Sequence, residues 1–399
     1  MFGFSGKRIL LGVTGSISVY KACEVARRFI KGGAEVRVVM TNNAARFVSP
    51  MLFEVLTNAP ALSDMFPESG DRLAHVDISA WADLFLIAPA TANFIGKAAA
   101  GIADDLLTST LLAFDGPVLV APAMNDRMWA NTAVQENVSR LRERGFGFVG
   151  PGKGELACGD AGPGRLADIE DIVAAVEEAV ADKTALSGRR VLISAGATRE
   201  YLDDVRFLSN PSTGRMGYAI AHEAYLRGAD VTLVSGQTSL AAPFGVRLIS
   251  VTTAAEMADE LFAAAPDSDV IIMSAAVADW SPKRMPGKVK KAGRTEWNIE
   301  LRRTKDILAE LGERKKNQTL VGFAVETENE IENARKKISE KNLDMLFVNN
   351  PNDFGAAFGT ETNRGYIVFP DSVEEVELVG KDELAGILLD RVERLLSDG

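Results

Sequence analysis

Cys158 lies in GPGKGELACGDAGPGRL, the seventeen residues from Gly150 to Leu166, which hold six glycines and two prolines. That composition predicts a mobile loop carrying a thiol, with no helix or strand. Such a loop can lift, admit a substrate and close over it, bringing Cys158 to the reacting atoms. A Gly-rich linker with an incidental cysteine is the plain alternative. Upstream, GVTGSIS (Gly12–Ser18) follows an apolar run and opens an amphipathic one. Gly15 permits a tight turn there, and the Ser16 and Ser18 hydroxyls fall beside the free N–H groups of a helix start, which suits a phosphate. The GxGxxG dinucleotide pattern is not completed, because Ser18 stands in the third-glycine place. One phosphate, as in a mononucleotide, fits better than two.

Three further segments of the first half bear polar groups at strand ends. His75 precedes a short helix, two residues from Asp77; a lone histidine is more often structural, but this one has a polar setting. PATAN (Pro89–Asn93) ends a strand with small residues, Ala90, Thr91 and Ala92, that let backbone approach a ligand ring. Asn125 stands at another strand end with amide donors and an acceptor, followed by Met124's neighbours Met128 and Trp129. These apolar residues are either core or pocket lining.

In the second half, SNPSTGRMG (Ser209–Gly217) brings Asn210, Ser212, Thr213 and Gly214 to a helix start. A capped helix is the plain explanation; a phosphate or carboxylate site is the functional one. SAAVADW (Ser274–Trp280) ends a strand with Ala275, Ala276 and Asp279, the last free to meet a metal or a ribose. GKVKKAG gathers Lys288, Lys290 and Lys291, either a solvated face or a triphosphate clamp. TKDIL (Thr304–Leu308), GFAVET (Gly322–Thr327), and Lys337 and Lys341 at i,i+4 on a helix add to a nucleotide site.

The elements that must position these residues alternate regularly. Apolar runs at Arg8–Val13, Glu35–Met40, Leu84–Ala88 and Pro117–Ala121 alternate with amphipathic stretches such as 18–31 and 125–144. That rhythm predicts a parallel sheet covered by helices. A helix over 168–181 and the polar stretch DKTALSG close the first half. The pattern restarts at Arg189, with strands expected at 231–235, 270–274, 320–324 and 345–348. The chain of 399 residues therefore reads as two α/β domains, 1–181 and 188–399. A net charge of −11 argues against nucleic-acid partners. No apolar run reaches about 18 residues, so no membrane span is expected. The N-terminus runs directly into a strand without a signal peptide's apolar core. Two cysteines and two histidines argue against a structural zinc site. Reduced thiols and a cytoplasmic setting are expected.

Taken in order, GxTGSIxxYK (Gly12–Lys21), His75, PATAN, PAMNxxMW (Pro122–Trp129) and the loop cysteine resemble the flavin-dependent cysteine decarboxylase superfamily. AGxTRExxDxVRxxSNxSxGxMG, AAVADW, KxKK and GFxxET resemble phosphopantothenate–cysteine ligases. Nearly the whole chain thus resembles the bacterial bifunctional coenzyme A biosynthesis flavoproteins. The resemblance implies two doubly wound domains, a flavodoxin-like or Rossmann-like FMN domain and a Rossmann-like nucleotide-binding ligase domain. It implies FMN at Gly15, Ser16, Ile17, Thr41, Pro89, Ala90, Thr91 and Ala92, with His75 and Asn125 acting on substrate and Cys158 donating a proton. Met124 and Met128 would line the substrate site. In the ligase domain it implies an acyl-cytidylate held by Asn210, with Lys288, by the KxKK register, balancing charge on the attacked phosphate. Ser212, Gly214, Ala275, Ala276, Asp279, Thr304, Lys305, Asp306, Ile307, Phe323, Lys337 and Lys341 would bind substrate and CTP, with Mg²⁺ at Asp279. The substrates implied are 4'-phosphopantothenate, CTP and L-cysteine. Trimeric FMN domains and dimeric ligase domains would build a dodecamer. Two other activities are conceivable within the superfamily. A decarboxylase of peptide C-terminal cysteines leaves the second half unexplained, and a non-catalytic flavin-fold regulator does not require Cys158.

Overall fold

Along positions 9–13 successive residues are buried, but into different cores. Ile9, Leu11 and Val13 join one hydrophobic cluster and Leu10 joins another. Side chains alternate across a strand, so a strand buried at every position lies in a sheet covered on both faces. The computed structural model describes residues 3–4, 6–65, 74–155, 161–290, 296–356 and 359–398. The chain divides into two compact units, Met1–Ala181 and Asp182–Gly399.

Unit 1 contains β1 (Arg8–Val13), β2 (Glu35–Met40), β3 (Ala61–Leu62), β4 (Leu84–Ala90), β5 (Val118–Pro122), β6 (Gly147–Phe148), β7 (Gly152–Glu155) and β8 (Ala161–Arg165). The first six form one parallel sheet in the order β3-β2-β1-β4-β5-β6. The helix Val19–Lys31 buries Val19, Ala22, Val25, Ala26 and Phe29, the i, i+3, i+4 stripe that packs a helix on a sheet. The expected helix over 125–144 is broken in two, Asp126–Ala130 and Thr132–Glu143, because Asn131 takes extended dihedrals and caps the second through Ala133 N–H.

The glycine-rich stretch corrects the expectation of a loop without strands. β7 and β8 pair as an antiparallel hairpin, with Gly154 opposite Gly162. Backbone donors and acceptors suffice for a ladder, whatever the side chains. Glycine is required at 164, where φ is +148° and a Cβ would collide with the Met124 carbonyl. The Gly164 carbonyl accepts from Met124 N–H at 2.9 Å, which seats the hairpin against the end of β5. Cys158 lies outside the described residues.

Unit 2 contains β9 (Arg190–Ala195), β10 (Arg199–Tyr201), β11 (Phe207–Ser209), β12 (Asp230–Ser235), β13 (Arg247–Ser250), β14 (Val270–Met273), β15 (Trp280–Pro282), β16 (Leu301–Arg303), β17 (Thr319–Val325), β18 (Met345–Asn349), β19 (Thr362–Val368) and β20 (Val373–Gly380). Its main sheet runs β13-β12-β9-β14-β17-β18-β19-β20. The strands are parallel through β18; β19 and β20 are antiparallel additions. Val191, Ile193 and Ala195 feed one core and Leu192 the other. β10–β11 and β15–β16 are short ribbons outside that sheet. The helix Arg215–Leu226 packs close to β9 through Gly217. A Cβ there would lie 2.5 Å from Ser274 Oγ and 2.6 Å from Ala195 Cβ, and Ser274 is itself held to the Ser194 carbonyl at 2.7 Å.

Gly217→Ala should lower the stability of unit 2 by roughly 1–2 kcal/mol, because overlap against fixed neighbours outweighs the ~1 kcal/mol that alanine gains in a helix. Thermal unfolding followed in both proteins checks it; an unchanged or higher transition would mean the helix can slide off β9 at no cost.

Candidate functional sites

In unit 1 the chain moves outward from β1 to β2 and β3, then returns to β4 on the other side of β1. That reversal makes a crevice at the carboxyl ends of β1 and β4. A cavity of about 1010 Å³ occupies it. Gly15, Ser16, Ile17 and Ser18 line it after β1, Thr41 after β2, Thr91 and Ala92 after β4, and Met124, Asn125 and Met128 after β5. Thr14 fixes the two central loops together. Its Oγ1 donates to the Pro89 carbonyl at 2.8 Å and accepts from Thr91 N–H at 3.0 Å. Ser18 begins the helix Val19–Lys31 without a side-chain cap, and the N–H groups of Ser16, Ser18, Val19 and Lys21 are engaged within the loop itself.

The structure places Pro89 and Ala90 inside β4, which runs two residues further than expected; Ala90 is fully buried and neither lines the cavity. They support the site from behind. Asn125 caps Asp126–Ala130, its Oδ1 accepting from Arg127 N–H at 2.9 Å. His75 begins the helix Ala74–Trp81, half-buried, and does not line the cavity.

Sequence reasoning missed the charged lining. Lys21 and Arg165 both face the cavity. Burial, then the nearby Arg165, hold the Lys21 ammonium below its ordinary value. Lys97 pairs with Asp104 at 2.7 Å and Asp105 at 3.5 Å; the hydrogen bond to Asp104 raises Lys97 and lowers Asp104. Lys21 stands within the quoted GxTGSIxxYK and was its available signal. The other cysteine, Cys23, is partly buried, and burial raises its thiol, the setting of an unreactive cysteine.

Unit 2 repeats the reversal between β9 and β14. Asn210 Nδ2 donates to the carbonyls of Ala276 at 3.3 Å and Val277 at 3.2 Å, tying the segment after β11 to the loop after β14. Ala275 N–H donates to Ser194 Oγ at 3.2 Å and Ala276 N–H to the Gly196 carbonyl at 2.8 Å. Ser212 Oγ accepts from Gly214 N–H at 3.3 Å, and Gly214 starts the helix Arg215–Leu226 in the left-handed region without a side-chain cap. These expected residues therefore converge.

The remaining ones form separate groups. Thr304 N–H donates to the Asp279 carbonyl at 2.9 Å and Thr304 Oγ1 to the Ala278 carbonyl at 2.7 Å; the Asp279 side chain is exposed. Thr304 and Lys305 line a cavity of about 350 Å³, with Lys305 Nζ 5.8 Å from the Phe262 ring centre. Ile307 is buried core. Phe323 packs on Phe347 with ring centres 5.5 Å apart. Lys337 is paired to Glu326 at 2.5 Å and Lys341 to Asp306 at 2.8 Å. Sequence reasoning missed Glu326 as a partner, although it lies inside GFAVET. Lys288 is exposed and Lys291 is outside the described residues. Among the described residues, no three His, Cys, Asp or Glu side chains group to hold a metal.

Asp306 also caps the helix Ile307–Arg314 through Ala309 N–H at 3.1 Å. Burial pushes its carboxyl up, but the Lys341 hydrogen bond and the cap bring it below its ordinary value. A lowered folded value means stability that is present above the ordinary carboxylate pKa of about 4 and lost as pH falls through the folded value. Wild type should therefore be more stable than Asp306→Asn at pH 7, and the gap should close below about pH 4. Denaturation midpoints across that range check it; a gap that persists unchanged at pH 3 would mean that the charge of Asp306 contributes nothing.

Residues 4–181 match the family described as Flavoprotein, and residues 186–396 match the DNA/pantothenate metabolism flavoprotein C-terminal domain. The chain is 45% identical over 396 residues to the coenzyme A biosynthesis bifunctional protein CoaBC of Bacillus subtilis, covering 98% of each chain. It is 41% identical over 397 residues to that of Vibrio parahaemolyticus, covering 98% of this chain and 99% of that one. The solved C-terminal domain of a CoaBC protein aligns with 42% identity and a TM-score of 0.47, over 54% of this chain and 100% of that one. With two relatives matched at this identity from end to end, the chain belongs to the family of bifunctional coenzyme A biosynthesis proteins.

Proposed function

We propose that unit 2 joins 4'-phosphopantothenate to L-cysteine using CTP, and that unit 1 decarboxylates the product, 4'-phosphopantothenoylcysteine, to 4'-phosphopantetheine with FMN. The observation that carries this assignment is the pair of doubly wound units in one chain, in the order of its bifunctional relatives. The large cavity of the first is lined by Gly15–Ser18 and Met124–Asn125.

In unit 2 the substrate carboxylate attacks the α-phosphorus of CTP and pyrophosphate leaves; the cysteine amine then attacks the acyl carbon and CMP leaves. Activation is needed because a carboxylate is a poor acyl donor at neutral pH. Asn210, Ser212, Gly214, Ala275 and Ala276 would hold the acyl-cytidylate. Lys288 would balance charge at the attacked phosphate. Asp279, Thr304, Lys305, Asp306, Ile307, Phe323, Lys337 and Lys341 would receive CTP. Mg²⁺ keeps waters and substrate phosphates as ligands and needs only one or two carboxylates, so Asp279 and the triphosphate would serve.

The unit 1 cavity fits FMN: small residues border it, the Ser16 and Ser18 loop at a helix start lines it, and Lys21 and Arg165 add the positive charge that a phosphate would meet. Gly15, Ser16, Ile17, Thr41, Thr91 and Ala92 would hold the flavin, with Pro89 and Ala90 behind them. Bound FMN supplies a reversible oxidant that turns the cysteine sulfur side of the substrate into an electron sink for the departing carboxylate. Asn125 would orient that carboxylate, Met124 and Met128 would exclude water, and His75, which does not line the cavity of its own unit, would act on the substrate where copies of unit 1 meet. Cys158 would return a proton after CO₂ leaves. Ile17 and Tyr20 are more than half exposed at this cavity, which supports assembly with further copies of unit 1. Trimers of unit 1 and dimers of unit 2 would then make a dodecamer. We place the enzyme in the cytoplasm, where a reduced Cys158 is maintained; no helix among the described residues is long and apolar enough to cross a membrane.

Purified protein should be yellow and should release pyrophosphate with CTP, 4'-phosphopantothenate and Mg²⁺, with ATP a far poorer substrate. Lys288→Gln should slow that release by roughly 10² to 10³. A colourless protein, or one inert to CTP, would overturn the assignment. Cys158→Ser offers a weaker acid of similar size. It should give one turnover of CO₂, bleached flavin and an accumulated enethiol two hydrogens lighter than the normal product. Normal turnover in that variant would make the thiol incidental, and an absence of CO₂ would place its action earlier.

A further inference from the structure

One buried carboxylate of unit 2 has no role in the chemistry above. Asp203 is fully buried and accepts four hydrogen bonds. Oδ1 takes the N–H groups of Val205 at 2.8 Å and Arg206 at 2.7 Å. Oδ2 takes the Arg206 guanidinium at 2.8 Å and Val289 N–H at 3.1 Å. The same Arg206 Nη1 donates to the Val289 carbonyl at 3.2 Å. Asp203 and Arg206 together thus bond both polar groups of one residue, as a neighbouring strand would. Asp204 does the same for Gly287. Its Oδ2 accepts Gly287 N–H at 3.0 Å, and its own N–H donates to the Gly287 carbonyl at 3.5 Å. Lys288 is therefore flanked on both sides by held residues, Gly287 and Val289. Burial pushes the Asp203 carboxyl up, but its hydrogen bonds and the Arg206 charge bring it down to about 2, so it is charged at any working pH.

We propose that Asp203, through Arg206 and alongside Asp204, is a positioning residue for Lys288, holding the 287–289 segment in the shape that presents this lysine to the nucleotide phosphates. The proposal rests on the ligase activity assigned above. A preorganised charge needs no rearrangement at the moment of reaction, and that accounts for most of its catalytic value. Asparagine cannot replace Asp203, since its amide nitrogen would point donors at donors.

The test uses Asp203→Asn, Asp204→Asn, Lys288→Gln and the double variants in the full chain, with two measurements. One is pyrophosphate release from CTP and 4'-phosphopantothenate. The other is backbone hydrogen exchange over 284–290 without substrates. Asp203→Asn should lower kcat about 10- to 100-fold with the KM for CTP moving less than about threefold. Exchange over 284–290 should rise while β9 and β14 keep their protection. Added to Lys288→Gln, it should cost less than about a further threefold, because both variants remove one effect. Losses that multiply in the double variant, or unchanged exchange over 284–290, overturn the proposal. If Asp203→Asn fails to fold, the more exposed Asp204→Asn takes its place in the same cycle, and multiplying losses overturn the proposal equally. A wild type that releases no pyrophosphate removes the ligase assignment and the presentation of Lys288 with it; a working ligase with unchanged exchange overturns the positioning role alone.

Discussion

The whole architecture depends on one constraint: a parallel sheet must be covered on both faces. In each unit, alternate residues of the central strand enter opposite cores, Ile9 and Leu10 in the first, Val191 and Leu192 in the second. Parallel pairing forbids tight turns between neighbours, so helices make the crossovers, except for the helix-free segment 236–246 between β12 and β13. The sheet fills outward from the middle, first to one side and then to the other, and β1 and β4, or β9 and β14, are the places where the direction reverses. No crossover covers the carboxyl ends there. The loops that bear Ser16, Thr91, Gly196 and Ala276 are thus left free to meet ligands by the same packing rule that buries the strands behind them.

Backbone hydrogen bonds then decide details that side-chain patterns do not announce. Glycines in the 150–166 stretch look unsuited to a strand, and by propensity they are. Yet β7 and β8 pair, because the hairpin is seated on a fixed partner, the end of β5, through the Met124–Gly164 hydrogen bond. A side chain at 164 would block that contact. The composition that reads as loop is the composition needed for close approach. Asn131 shows the converse: a stretch with helical periodicity is split because a side-chain cap competes successfully with one more helical turn.

Apolar runs made the inner parallel strands of both sheets legible almost to the residue, whereas the parallel edge strands β3, β6 and β13, which are only partly buried, were not expected. The antiparallel β19 and β20 escaped notice. Their burial alternates or is partial, and a half-exposed edge resembles many polar segments. Positions lining the unit 1 cavity were legible where a motif follows an expected strand, as at Ser16 and Asn125. Partners across sequence were not: Glu326 for Lys337, Asp104 for Lys97 and Asp203 for the Val289 backbone are set by tertiary packing alone. Pro89 and Ala90 were legible as a motif but not as support, because nothing in PATAN tells which residue still belongs to the strand.

The two sites differ in how they prepare for charge. In unit 1, Lys21 is partly buried and lies near another cation, Arg165, so its ammonium is already disfavoured; an arriving anion would offset both effects. In unit 2, Lys337 and Lys341 are engaged by Glu326 and Asp306. A triphosphate entering under the proposed activity must share or displace these carboxylates. Partly exposed pairs of this kind hold on the order of 0–1 kcal/mol each, so the exchange costs little, while the pairing keeps two long side chains ordered before the nucleotide arrives. Under the proposed activity a polyphosphate that engaged both lysines would meet local positive charge on a chain of net charge −11, which does not attract polyanions over its whole surface.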